Sequence, residues 1–128
     1  MNKNIVLTAS VFGVLAVMLG AFGAHGLRDL ISAQALSNWA KGVEYQFYHV
    51  FALLFLSVSG TQNKLTKFAH WFFAIGIILF SGSLYLLSTR EIHHWTIAEY
   101  VGPITPIGGL SLILGWLMLF FSVSSKSK

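Results

Sequence analysis

The chain has 128 residues, of which 55% are apolar and only 9% charged, and its mean hydropathy is +0.73. A water-soluble domain carries about 25% charged residues because its surface must be solvated, so much of this surface has to face lipid. The absence of cysteine excludes disulfides and thiolate metal sites. The net charge of +4 is not gathered into basic runs, which argues against nucleic acid as a partner and leaves the charge to be read as topology.

The uncharged stretch from Ile5 to Phe22 would measure about 27 Å as a helix, close to the roughly 30 Å hydrocarbon core of a bilayer. It reads as a first span. Lys3 ahead of it and Ala21-Phe22-Gly23 behind it also fit the outline of a cleaved signal peptide. The run is longer than the usual h-region of about 7–15 residues, so the span is preferred. Gly20, Gly23 and Gly26 follow at a spacing of three, with His25 beside them. The spacing does not line up on one helix face, so the glycines read as packing positions, with Gly26 ending the helix.

Leu36, Trp39, Ala40, Val43 and Phe47 form a helical stripe. An interfacial helix within 27–40, capped by Asp29 or Ser32 and bent or continuous at Gly42, is expected to lead into a second span over 43–59. Trp39, Tyr45 and Tyr48 fit an aromatic belt at its start. A polar turn over 60–67 precedes a third span over 68–87, where Gly76, Ser81, Gly82 and Ser83 would let a neighbour approach closely. The longest polar connection follows. Thr105 and Pro106 then read as N-cap and first helical residue of a fourth span over 107–123. Trp116 lies too deep there for a belt and is expected to pack between helices. The expected architecture is an all-α integral membrane protein, one domain of four transmembrane helices with an interfacial helix between the first and second.

Four spans put both termini on one side. That side holds Lys3, Lys64, Lys67, Lys126 and Lys128, against Arg28, Lys41 and Arg90 on the other, so the termini are expected in the cytoplasm. The acids Asp29, Glu44, Glu91 and Glu99 all fall on the outer side, as do His25, His93, His94 and the tyrosines. His49 lies a little deeper, inside the second span. Gln46 and Tyr45 precede it by three and four residues, on one helix face. Polar groups at membrane depth are costly and tend to face partners or a cavity.

The candidate ligand or proton-relay residues are therefore His25, Glu44, Tyr45, Gln46, His49 and Thr105. His25, Glu44 and His49 are also an acceptable metal set by ligand type, but their spacing is not that of a metal motif. Plain hydrogen bonding between helices is the favoured reading of these groups, ahead of a ligand or proton site and of a metal site. Gly20, Gly23, Gly82, Pro106, Gly108 and Gly109 are expected at helix contacts. Nucleotide-fingerprint and serine-nucleophile patterns find no support, and no cofactor is expected.

Gly20-Ala-Phe-Gly-Ala-His-Gly-Leu27, Tyr45-Gln-Phe-Tyr-His49, Phe80-Ser-Gly-Ser-Leu-Tyr85, Thr105-Pro-Ile-Gly-Gly109 and Gly115-Trp116 resemble the small bacterial inner-membrane proteins of the YgdD/YwdK type. The resemblance covers nearly the whole chain. It implies a multi-pass protein of the bacterial plasma membrane and no particular substrate. The expected role is non-enzymatic binding of a small ligand, lipid or partner at the outer side, with proton or solute movement as an extension of it. A structural or assembly subunit and a membrane metalloenzyme are the alternatives. The bilayer is the expected surrounding, and small-residue faces suggest a homo-oligomer.

Overall fold

The computed structural model describes residues 1–59 and 62–125. All its regular structure is helical: α1 (Lys3–His25), α2 (Ala33–Val58), α3 (Lys64–Ser88), α4 (Arg90–His93), α5 (Ala98–Val101) and α6 (Ile104–Ser124). Two helical stretches, α1 and α3, and the α5–α6 segment Ala98–Ser124 are long and apolar enough to cross a membrane. α2 is the longest helix, with 26 residues, but its first half carries Gln34, Asn38, Lys41 and Glu44. The expected turn residues Gly60 and Thr61, and the basic tail residues Lys126 and Lys128, lie outside the described residues.

Local chemistry sets the helix ends. The Asn2 side chain accepts from the Ile5 N–H and starts α1. Ser32 caps α2 by accepting from the Ala35 N–H. Asn63 and Thr66 form a reciprocal capping box on α3. α1 ends at His25, and the Gly26 N–H donates to the Phe22 carbonyl.

Of the two forms expected for the helix leading into the second span, bent or continuous at Gly42, the structure takes the continuous one: the stripe of Leu36, Trp39 and Val43 continues in phase and α2 runs unbroken through Gly42, so the interfacial stretch is not a separate helix. Gly42 instead makes room for the Tyr85 ring, which a Cβ would meet at 2.9 Å. One expectation about an element is corrected: α6 begins at Ile104 with Pro103 at its N-cap, so Thr105 is not the cap. Pro106 is still harmless in the first turn, where N–H groups have no intrahelical acceptor.

The extended contacts run from α1 to α2, α2 to α3 and α3 to α6. Ile5 and Ala9 of α1 join Val50, Leu53 and Leu56 of α2, Phe73 and Ile77 of α3, and Leu112 and Leu119 of α6 in one core. The opposite faces are apolar as well: Leu7, Val11, Val14 and Met18 of α1 and Ile107, Leu110, Ile113 and Phe120 of α6 are exposed. Helices apolar all round belong in lipid.

Small residues set the closest approaches. A Cβ on Gly108 would collide with the Phe80 backbone, and one on Gly115 would lie 2.6 Å from the Phe73 ring. Gly76 receives Leu112, at 2.5 Å from a built Cβ. Of the glycines expected at contacts, Gly82 departs from the pattern: nothing lies within 4 Å of its Cβ position. Gly108→Ala is therefore expected to destabilise the protein by about 1–3 kcal/mol through overpacking, whereas Gly82→Ala is expected to be neutral or slightly stabilising. Thermal unfolding of both variants in detergent checks this, and equal effects would contradict the packing assignment.

Candidate functional site

The polar residues singled out in α2 lie on its buried face, Gln46 at 3% exposure and His49 at 5%. Gln46 acts in both directions. Its Nε2 donates to the Phe12 carbonyl of α1 at 2.7 Å, and its Oε1 accepts from the Tyr85 hydroxyl of α3 at 2.7 Å. One carboxamide thus joins three helices.

His49 is satisfied at both ring nitrogens. Trp116 Nε1–H can only donate, so His49 Nε2, 3.1 Å away, must accept. The ring proton then sits on Nδ1 and is given to the Tyr45 carbonyl at 2.7 Å. With both nitrogens engaged, the neutral ring has no lone pair left for a metal. Tyr45 stacks on Phe80 with ring centroids 4.7 Å apart.

The remaining candidates stand apart from this pair. His25 is exposed at the end of α1, its Nδ1 3.1 Å from the Ala21 carbonyl oxygen. Glu44 is exposed on α2. Thr105 pairs with Ser83 at 2.6 Å. Because Ser83 already gives its proton to the Phe80 carbonyl, Thr105 is the donor. Among the described residues no three His, Cys, Asp or Glu side chains converge on a metal-sized space, so His25, Glu44 and His49 are not brought together as a ligand set.

The structure also uses residues that the sequence did not single out for this role. Trp39, expected in an interfacial belt, is 5% exposed. Its indole N–H donates to the Leu19 carbonyl at 2.9 Å, its ring lies 4.7 Å from that of Tyr85, and Gly23 leaves it room. Ser81 donates to the Gly42 carbonyl at 2.6 Å, and Ser111 donates to the Phe72 carbonyl at 2.8 Å. Both reach from one helix to the backbone of the next. The signal available for them was only their small size. Trp116 remains 47% exposed, so it bridges α6 to α2 from the rim rather than from the interior.

Among the grooves between the helices, two border the residues singled out above. The first, between α1 and α2, encloses about 310 Å³ and is lined by Gly20, Gly23, Ala24, Trp39, Val43 and Glu44. Its walls are apolar and Glu44 is its only ionisable group. The second, between α2 and α6, encloses about 630 Å³ along Tyr45, His49, Pro106, Gly109 and Trp116. Gly20 helps to shape the first, since a Cβ there would come within 3.3 Å of Val43.

Comparison with known proteins adds the family. Residues 19–109 match the family described as "Protein of unknown function (DUF423)". The chain is 44% identical over 121 residues to a UPF0382 membrane protein of Staphylococcus aureus, covering 94% of each chain. It is 41% identical to the UPF0382 membrane protein YwdK of Bacillus subtilis, over 91% of this chain and 93% of that one. It is 37% identical to the UPF0382 inner membrane protein YgdD of Escherichia coli, over 99% of this chain and 95% of that one. No solved structure matches the chain.

The His49 assignment predicts a neutral ring protonated on Nδ1. Selective ¹⁵N-histidine labelling should place Nε2 of His49 in the unprotonated range and Nδ1 in the protonated range. Trp116→Phe should shift the Nε2 resonance and cost roughly 0.6 kcal/mol of stability, the usual worth of one hydrogen bond between membrane helices. A ring protonated on Nε2 would contradict the bond.

Proposed function

The chain belongs to the DUF423 family, whose relatives are named membrane proteins, and on that premise we propose that it is a non-enzymatic, four-span protein of the bacterial plasma membrane that binds a small amphipathic ligand between α1 and α2. The observation that carries this reading is the apolar groove of Gly20, Gly23, Ala24, Trp39 and Val43 with one carboxylate, Glu44, at it. An apolar body suits the walls, and a cationic or hydrogen-donating head suits Glu44. The polar groups deeper in α2 act as ties between helices, which leaves Glu44 as the free ionisable group beside the groove. His25, at the C-terminal end of α1 near this groove, is the second polar residue to test.

The fourth span is α2. At about 39 Å it exceeds the hydrocarbon thickness, so its polar first half would stand in the headgroup region while 43–59 crosses. The termini lie in the cytoplasm on the lysine asymmetry. Because the chain has no native cysteine, single cysteines at positions 2 and 91 can be labelled cleanly. Position 2 should resist an impermeant thiol reagent in intact cells and position 91 should react. The opposite pattern would invert the topology.

A second reading is a structural or assembly subunit, working as a homo-oligomer or with another membrane protein. It is favoured by the exposed apolar faces of α1 and α6, which are available for helix partners as well as lipid.

Ligand binding is tested on the full chain in nanodiscs of zwitterionic lipid. Trp39 lines the groove, so tryptophan fluorescence should report a long-chain alkylammonium probe in preference to an alkyl sulfate of equal length. Glu44→Gln should weaken the alkylammonium response several-fold, and Ala24→Leu, which fills the groove, should abolish it. Equal responses to both probes, or indifference to Ala24→Leu, would remove the proposal. A larger complex that co-purifies with the chain, and falls apart on bulky substitution of α6, would favour the second reading.

A further inference from the structure

At the opposite end, where α1 and α3 begin, the structure holds a cavity of about 470 Å³ with a more polar lining. It is lined by Asn2, Asn4, Gln62, Asn63, Lys67 and His70, with Ile5 and Trp71 beside them. Six of this cavity's eight lining residues carry polar side chains, more than in the α1–α2 and α2–α6 grooves described above. Several of these groups are already fixed in place. Asn2 Nδ2 donates to Gln62 Oε1 at 2.9 Å, and Gln62 Nε2 donates to the Leu56 carbonyl at 3.3 Å. Asn63 Oδ1 accepts the Thr66 N–H at 3.0 Å. His70 Nε2 lies 3.0 Å from Thr8 Oγ1, whose own proton goes to the Asn4 carbonyl, so His70 is the donor there.

The charge at this end has one sign. Lys3, Lys64 and Lys67 lie in the first turns of α1 and α3, while Asp29, Glu44, Glu91 and Glu99, all the acids of the chain, lie toward the other end. An anion therefore meets Lys67 and the amides of Asn4 and Gln62 with no Asp or Glu side chain of the described residues to oppose it. The cavity also adjoins apolar surface. Trp71 stands at its edge, 55% exposed, and Ile75 and Ile78, one and two turns further along the same face of α3, are exposed as well. A tryptophan between a polar cavity and an apolar helix face is at the depth of a lipid headgroup boundary.

We propose that this cavity binds the headgroup of an anionic phospholipid. Its phosphate would sit against Lys67 and Asn4, and an acyl chain would run along Trp71, Ile75 and Ile78. Polar pockets with basic residues at membrane-helix ends recognise such headgroups through charge-assisted hydrogen bonds. The site is separate from the α1–α2 groove and takes the opposite charge, so either can fail without the other.

The test is native mass spectrometry of the full chain, delipidated and then titrated with phosphatidylglycerol or phosphatidylcholine of equal chain length. Wild-type protein should retain phosphatidylglycerol preferentially. Lys67→Gln should weaken that retention about fivefold, as expected for one lysine at an anionic surface. Lys67→Arg should keep it, and Lys41→Gln, at the other end, should leave it unchanged. Lys67 is exposed, so these variants leave the core intact. Equal retention of the two lipids, or loss that is the same for Lys67→Gln and Lys41→Gln, would overturn the proposal. Displacement of the lipid by millimolar inorganic phosphate would assign the cavity to a soluble anion and overturn it also.

Discussion

The carboxamide of Gln46 is the interaction on which the arrangement depends. It is buried at the centre of the helix row and holds the backbone of α1 with one end and the Tyr85 hydroxyl of α3 with the other. In an apolar interior its donors and acceptor have no water to return to, so leaving it unpaired is costly. That cost fixes the rotation of α2: the face carrying Gln46 and His49 must turn inward, and Tyr48, Phe51 and Phe55 must turn outward. His49 and Trp116 extend the same logic to α6, and Trp39 repeats it toward α1.

Close packing then follows from small residues. The hydrophobic effect supplies little attraction between helices whose alternative surroundings are also apolar, so close van der Waals fit and buried hydrogen bonds must hold them together. Gly42 admits Tyr85, Gly115 admits Phe73 and Gly108 admits the Phe80 backbone. At these short approaches Ser81 and Ser111 reach the carbonyls of neighbouring helices. Elsewhere hydroxyls such as Ser10 and Ser57 bond to their own helix, which removes a bare donor from the apolar surroundings.

Much of this was legible in the sequence, for identifiable reasons. Apolar run lengths place α1, α3 and α6 to within a few residues, because a bilayer imposes a length. The mixed stripe from Leu36 to Phe47 marks α2 as one-sided but leaves open whether it bends or runs on at Gly42, since periodicity alone cannot say where an interface ends and a span begins. The polar cluster of α2 was visible as residue types. Its partners were not, because Phe12, Tyr85 and Trp116 come from three other helices and a pairing between distant segments leaves no local trace. Trp39 shows the same limit: near a helix start it resembles a belt residue, and only Gly23 across the gap reveals it as a tie. Gly82 is the converse, a glycine whose neighbourhood is open.

The account rests on Gln46 and Tyr85 acting as a unit, and a double-mutant cycle measures that directly. Unfolding free energies of wild type, Gln46→Leu, Tyr85→Phe and the double variant should be determined in mixed micelles. The account predicts a favourable coupling of about 0.6–1.7 kcal/mol, the range seen for hydrogen bonds between membrane helices. Costs that add to within about 0.3 kcal/mol would contradict it.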